Sequence, residues 1–369
     1  MGMVGGGPGA FIGPVHRIAA ELDGAFTLVA GAFSSDASRS VQAAEMYGIA
    51  PDRSYDSFEA MMRAEAARDD GIDMVVIATP NHLHLPIARA ALTAGIAVMS
   101  DKPATATLPE AQELAQVVRR AGCPYALTFT YTGYPLIREA RALVRAGVCG
   151  NLRKILVDYP QGWLAQPIEL DGTNKQASWR CDPMRSGPGG CVADIGVHAF
   201  NLAEFVGGRQ VTRLLSDLGT LVPGRRVDDD AAVLLRFEDG VRGVLTASQV
   251  AIGELNGLSL RVYGDQGSLT WQQENPNILW IHRADGRSEI LRSGEARLGL
   301  DARAATRLPG GHPEGYFEAL GNLYRDFAVL LRSNQASPLL PGIEEGLRGM
   351  AFIDAAVAHN GNGWIDLNV

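Results

Sequence analysis

Among the 369 residues, Lys102, Asp194 and His198 are of the types that move protons and stand at positions where a fold could expose them. An imidazole with its ordinary pKa near 6.5 accepts a proton at neutral pH and gives it back. Lys102 ends an apolar run, Ala97–Ser100 and Asp101, and directly precedes Pro103. An Xaa–Pro bond takes the cis form at modest cost, and such a turn would aim the ammonium across a cleft. The plain alternative is a solvated surface charge. Asp194, His198 and Asn201 are spaced i, i+4, i+7 and so share one face of a helix, while Ile195, Leu202, Phe205 and Val206 form a separate apolar face. That polar stripe follows Gly187-Pro188-Gly189-Gly190. It reads either as a site or as a capping or core pair.

A different chemistry is written into Gly5-Gly6-Gly7-Pro8-Gly9-Ala10, which contains the spacing Gly-x-Gly-x-x-Ala between a strand-like and a helix-like stretch. Glycines there let the backbone turn tightly and approach a pyrophosphate. The N–H groups of the following helix start, at Phe11 and Ile12, then face the anion. Gly5, Gly7, Pro8, Gly9, Ala10, Phe11 and Ile12 are therefore candidate dinucleotide-binding residues. A plain glycine-rich turn is the alternative. An acid usually follows the second strand of such a unit to hold the adenosine ribose. Here that place has Ser34 and Ser35, with Arg39 a turn further on, a set that suits a 2′-phosphate and favours NADP over NAD. Alternatively, Ser35 or Asp36 caps the next helix.

These residues need elements to carry them. Apolar runs at Met1–Val4, Phe26–Ala32, Asp73–Thr79, Ala97–Ser100 and Pro124–Phe129 alternate with helical patterns such as Phe11–Leu22, Leu85–Ala94 and Pro109–Ala121. Near-continuous apolar strands separated by helices predict a parallel sheet covered on both faces. The strand ends then share one rim, where open α/β sheets bind ligands. On that rim fall the glycines, Ser34-Ser35, Thr79-Pro80-Asn81-His82, Asp101-Lys102-Pro103 and Thr130-Tyr131. After about residue 150 come a strand at Lys154–Tyr159, a polar Gly- and Pro-rich stretch at Gln161–Gly190 and a helix over Val192–Val206. Alternating strands with turn signals follow from Val211 to Ile290, predicting an antiparallel sheet. Helical patterns around Glu314–Leu331 and Gly342–His359 close the chain, and Ser293–Gly311 is the segment expected to be disordered. The expected class is α/β: a Rossmann-type parallel-sheet domain over 1–130, then an α+β domain over 131–369 with an open, mostly antiparallel sheet. The last helices are expected to pack back on the first domain.

Composition narrows the partners. With 46% apolar residues and a formal charge of −8, the chain supports two cores and has no basic excess for a phosphate backbone, which argues against nucleic acid. No apolar run approaches the roughly 18 residues of a membrane span, so a cytoplasmic location is expected. Cys123, Cys149, Cys181 and Cys191 lack metal-binding spacing and are expected to be reduced thiols, with no metal. Met1–Val4 is short against the usual strand of about five to six residues, which suggests a natural start upstream of Met1.

Taken in order, the glycine loop, Ala78-Thr79-Pro80-Asn81-His82-Leu83-His84, the Lys102-Pro103 step and the Gly-rich Asp194-x-x-x-His198 segment resemble the Gfo/Idh/MocA family, named after glucose-fructose oxidoreductase, inositol dehydrogenase and a rhizopine-catabolism protein. The resemblance covers nearly the whole chain. It implies a nucleotide-binding domain followed by an open-sheet domain, with NAD(P)-dependent hydride chemistry between them on a hydroxyl carbon of a sugar or polyol. By the same resemblance Lys102, Asp194 and His198 fall on catalytic positions, and Thr79, Pro80, Asn81 and His84 line the nicotinamide side. Asp101 stands where the family usually has glutamate, altering the contact near the nicotinamide ribose, and Ser34 replaces the usual acid. Gln161–Ser186, with Trp163, Lys175, Trp179 and Arg180, looks like a substrate-binding insertion, and Tyr131, Trp179 and Arg180 join Lys102, Asp194 and His198 as candidate substrate contacts.

Hydride loss from a carbinol requires a base at the hydroxyl and a donor to steady the oxygen. His198 is assigned as base, Lys102 as donor and Asp194 as the orienting carboxylate, with Lys102 as base the alternative. A net non-redox enzyme using bound nicotinamide transiently, such as an epimerase, lyase or glycoside-cleaving enzyme, is the competing function, and a dinucleotide sensor the third. Sheet residues Leu234, Arg236, Val244, Thr246 and Ser248 form an uncovered face, so a homodimer or homotetramer is expected.

Overall fold

The computed structural model describes every residue except Asp171 and Thr173, which lie inside the expected insertion Gln161–Ser186. The chain divides into two compact units, one of Met1–Phe129, Met184–Ser186 and Leu320–Met350, the other of Thr130–Pro183, Gly187–Ala319 and Ala351–Val369.

In the first unit β1 (Gly2–Gly5), α1 (Ile12–Glu21), β2 (Ala30–Ala32), α2 (Ala37–Tyr47), α3 (Phe58–Ala66), β3 (Met74–Ala78), α4 (His84–Thr93), β4 (Ala97–Ser100), α5 (Leu108–Ala121) and β5 (Tyr125–Leu127) follow one another. The five strands form a parallel sheet in the order β2-β1-β3-β4-β5. Every residue of β3 is buried, as expected for a strand covered on both faces. The chain leaves β1 to opposite sides for β2 and β3, so the rim has its topological switch point at the ends of β1 and β3. The second strand is much shorter than Phe26–Ala32. Phe26 and Leu28 are buried, but Leu28 gives its N–H to the Glu21 carboxylate and only three residues pair with β1.

In the second unit come α6 (Pro135–Arg145), β6 (Leu152–Pro160), α7 (Lys175–Arg180) and α8 (Pro183–Ser186), whose last residues count with the first unit. A π-turn over Val192–Gly196 leads into α9 (Val197–Gly207), followed by β7 (Val211–Gly219), β8 (Asp230–Phe237), β9 (Arg242–Ser248), β10 (Ser259–Gly264), β11 (Gly267–Gln272), β12 (Ile278–Arg283) and β13 (Ser288–Arg292). After α10 (Leu300–Ala304) come α11 (Tyr316–Ser333) and α12 (Ile343–Ala358), which count with the first unit from Leu320 to Met350, and β14 (Ile365–Asp366) completes a nine-stranded sheet in the order β13-β12-β11-β10-β6-β9-β8-β7-β14. All its pairs are antiparallel except β6 with β9. On β8 and β9, residues alternate strictly between a buried face and an open one carrying Leu234, Arg236, Val244, Thr246 and Ser248.

Two expectations need correction. Ser293–Gly311 is ordered: Leu298, Ala302 and Ala305 are buried, and the Glu314 carboxylate accepts the N–H groups of Arg307 and Leu308 at 2.6 and 2.7 Å. Composition hid this, because the ordering groups are a few apolar residues and a carboxylate beyond the segment. Val192–Val206 is also not one α-helix. The π-turn is wound more loosely than an α-helix, so the 3.6-residue periodicity relates His198 to Asn201 within α9 but does not extend to Asp194. No described helix is long and apolar enough to cross a membrane.

Candidate active site

The rim of the parallel sheet is built around close backbone approaches. Gly5 has φ of 88°, and a Cβ there would lie 2.3 Å from the Ala78 carbonyl oxygen, so only glycine lets β1 end against β3. Gly9 also has positive φ, at 77°, but open space beside it, leaving the loop's outer side clear. Phe11 and Ile12 begin α1 with no side-chain cap. The open cradle and uncapped helix start fit a dinucleotide pyrophosphate, for which Gly9, Phe11 and Ile12 are the candidate N–H donors, while Ala10 gives its N–H to the Gly7 carbonyl at 2.9 Å. The loop is braced from behind, since the Tyr47 hydroxyl donates to the Gly6 carbonyl at 2.8 Å.

At the end of β2, Ser34 accepts the Asp36 N–H, and Ser35 is exposed. Asp36 is the helix cap: it accepts the Arg39 N–H at 3.0 Å, and hydrogen bonding from Ser38 and that N–H holds its carboxyl below the usual range. The Arg39 guanidinium donates to the Pro8 carbonyl at 2.9 Å, which draws its charge onto the glycine loop.

Beyond β3, His84 is buried with Nδ1 2.8 Å from the Pro103 carbonyl and Nε2 3.0 Å from that of Thr79. Two carbonyl acceptors favour the imidazolium, but burial outweighs them and pushes its pKa down. His84 thus ties the Thr79-Pro80 turn to the loop after Lys102, whose bond to Pro103 is cis. Asn81 donates through Nδ2 to the Ser186 carbonyl at 2.7 Å. Asp101 accepts both the Lys102 N–H, at 2.9 Å, and the Thr128 hydroxyl, at 3.0 Å. The short carboxylate therefore fixes the backbone that carries Lys102.

In the second unit the His198 ring, in the first turn of α9, packs edge-to-face on Tyr131 with centroids 4.9 Å apart, and Tyr159 lies at 6.4 Å. The Tyr131 and Tyr159 hydroxyls are in contact. Tyr159 donates to Asn256 Oδ1 at 2.7 Å, and Asn256 Nδ2 donates back to Tyr131 at 3.3 Å. Gln161 donates to the same Oδ1. Burial raises both phenols well above their ordinary pKa, so they remain protonated hydrogen-bond donors. Asp194 Oδ2 accepts from Arg180 Nε at 3.2 Å and from Gln249 Nε2 at 2.9 Å. Arg180 also reaches Gln176 and lies 4.4 Å over the Trp179 ring, so its charge is engaged inside the protein.

The segment carrying Asp194 and His198 is anchored by a residue that lies outside every motif of the sequence. Asp228 is half-buried and accepts the Gly190 N–H at 2.6 Å, the Val192 N–H at 2.7 Å and the Cys191 thiol at 3.1 Å. It therefore serves as an N-terminal cap supplied from a distant loop. Burial raises its pKa against these hydrogen bonds. Three consecutive aspartates, Asp228 to Asp230, just before an alternating strand were the available signal. Tyr159, Gln249 and Asn256 gave no such signal.

Comparison with known proteins agrees along the whole chain. Residues 1–129 match the oxidoreductase family with an NAD-binding Rossmann fold, and residues 137–270 match the GFO/IDH/MocA C-terminal domain. The oxidoreductase YfiI of Bacillus subtilis is 31% identical over 99% of this chain and 95% of its own. An inositol dehydrogenase homologue from Azotobacter vinelandii, solved with NAD+, superposes with a TM-score of 0.94 at 35% identity, over 99% of this chain and 96% of that one. The same homologue was also solved with NADH and myo-inositol. Levoglucosan dehydrogenase of Pseudarthrobacter phenanthrenivorans is 28% identical over 60% of each chain. With a cradle that fits the dinucleotide and a likeness running from end to end, the chain belongs to the Gfo/Idh/MocA family of NAD-binding oxidoreductases.

Proposed function

We propose that this oxidoreductase oxidises a secondary hydroxyl of a neutral sugar, polyol or anhydrosugar, with residues 1–130 holding the dinucleotide and 131–369 the substrate. The observation that carries the reading is the pairing of Arg180 with Asp194 in the unit that holds His198. It meets the one guanidinium among the candidate substrate contacts with a carboxylate and leaves Tyr, Asn, Gln and His groups as the surrounding polar chemistry, which suits a ligand rich in hydroxyls and without charge. The A. vinelandii homologue's complex with myo-inositol supports the same class.

The bound nicotinamide supplies the hydride acceptor. His198 takes the hydroxyl proton, Asp194 orients the substrate, and Lys102 steadies the charge on the oxygen. The contacts already described for Tyr131, Trp179 and Arg180 shape the substrate side. On the cofactor side, Thr79, Pro80, Asn81 and Asp101 shape the nicotinamide end, with His84 bracing it. The test is a panel of myo-inositol, levoglucosan, D-xylose and D-glucose, each with NAD+ and NADP+, followed by absorbance at about 340 nm. Turnover of at least one member supports the reading, and inertness of the whole panel alongside oxidation of charged substrates overturns it.

At the adenosine end, Ser34 and Arg39 offer a hydroxyl and a guanidinium to a 2′-phosphate, while the Asp36 charge opposes it. Ser34→Asp should shift preference from NADP towards NAD by about 1–3 kcal/mol. Unchanged ratios of kcat/KM for the two cofactors would reject Ser34 as the discriminating residue.

The open face of β8 and β9 includes Leu234, which is 42% exposed, and is proposed to be covered by a second copy of the chain. Light scattering of dilute protein should report a dimer or tetramer. A monomer mass would reject it.

A further inference from the structure

We propose that Gln249 is a positioning residue that fixes the Asp194 carboxylate for substrate. It directly follows β9 and is buried, and both of its backbone groups are clamped. Its N–H donates to the Asp229 carbonyl at 2.9 Å, and its carbonyl accepts the Leu164 N–H at 3.0 Å. With the main chain held at both ends, its carboxamide has a defined approach to Asp194 Oδ2 at 2.9 Å. Arg180 reaches the same oxygen from α7, but its side chain is 23% exposed and is shared with Gln176 and Trp179. Two donors converging on one oxygen fix the rotation of the carboxyl group. This matters at Asp194 because its backbone lies in a π-turn, so its side chain does not take the direction that α-helical spacing from His198 would give it. An amide suits the task because it does not titrate and adds no second cation beside Arg180. The clamp partners also join three segments: Leu164 belongs to the insertion, and Asp229 belongs to the loop whose neighbour Asp228 caps the catalytic segment.

The inference rests on the reading of Asp194 as a substrate contact. Gln249→Met keeps length and burial and removes the donor, whereas Gln249→Glu keeps shape and turns a carboxylate towards Asp194. Assayed with NAD+ and the panel member turned over fastest, the Met variant should lose about 10–100-fold in kcat. The Glu variant should lose more. KM for NAD+ and the thermal midpoint of the Met variant should match wild type. In an Asp194→Asn background, Gln249→Met should cost little further, since the group it positions is already altered. Wild-type kcat in Gln249→Met overturns the proposal. So does a kcat loss accompanied by matching losses in thermal midpoint and NAD+ binding, or losses that multiply in the double variant. Wild-type turnover in Asp194→Asn alone is a separate result, because it removes the role of Asp194 itself.

Discussion

His198→Asn should lower kcat by about 10²–10⁴ while the affinity for NAD+ changes little. The imidazole lies against Tyr131, near Tyr159, whose hydroxyls belong to a closed set with Asn256. Both phenols stay protonated, so they donate hydrogen bonds and accept no proton at neutral pH. His198 is then the group in that set able to take the hydroxyl proton. Asparagine approximates the ring's polar reach but has no basic nitrogen, so binding should survive where turnover does not. Lys102→Met should produce a loss of similar size, because methionine keeps the apolar stem and removes the ammonium. Asp101 holds the Lys102 backbone through its N–H, a contact that the substitution leaves in place. Steady-state kinetics with NADH-binding fluorescence on the same samples separates the two effects. Near-normal turnover in either variant would remove that residue from the chemistry.

Arg225→Met should destabilise the protein by about 3–5 kcal/mol, because it leaves buried carboxylates without their cation. The Arg225 side chain is 1% exposed and contacts Glu169 at 2.9 Å and Asp229 at 3.0 Å, both nearly buried. It also donates to the carbonyls of Leu164 and Gln166. Through these bonds one guanidinium holds the start of the insertion to the loop before β8. At about 2–4 °C per kcal/mol, the thermal midpoint should fall by about 6–20 °C. Glu169 adds a pH signature. Burial opposes its charge, yet the hydrogen bond from Arg225 wins and holds its pKa below the ordinary 4.5. A depressed pKa stabilises fully above the ordinary value and loses that contribution as pH falls through the folded one. The gap between wild type and Arg225→Met should therefore persist from neutral pH down to about pH 5 and narrow only in stronger acid. An unshifted midpoint at pH 7 would show that the network contributes nothing.

The parallel sheet and its rim were legible because their signals are local. An apolar run such as Met74–Ala78 can hardly be anything but a strand covered on both faces, and glycines at the end of β1 answer to carbonyls a few ångströms away. Helix capping by Asp36 was one of two readings of the β2 end, and the structure realises it without deciding the cofactor. Legibility failed where geometry departs from ideal periods or where partners are distant in sequence. A π-turn looks like α-helix to any 3.6-residue count, so the spacing predicts one shared face for Asp194 and His198. Gln249 meets Asp194 across 55 residues, and Tyr159 meets Asn256 across 97. Nothing in either neighbourhood announces such a pairing. Arg180 was expected among the substrate contacts as a charged donor. Its engagement with Asp194 shows that its charge is balanced internally.

Net hydride transfer from a carbinol carbon to nicotinamide is tested most directly by stoichiometry with a labelled substrate. The panel member that reacts, carrying deuterium on its carbinol carbon, is incubated with NAD+, and product and reduced nicotinamide are quantified together by mass spectrometry and by absorbance at about 340 nm. The expected result is one ketone, or one lactone where the carbon is anomeric, and one deuterated NADH for each substrate consumed, with both lost in His198→Asn. Product that accumulates without net reduction of the cofactor, or NADH that carries no deuterium, would contradict it.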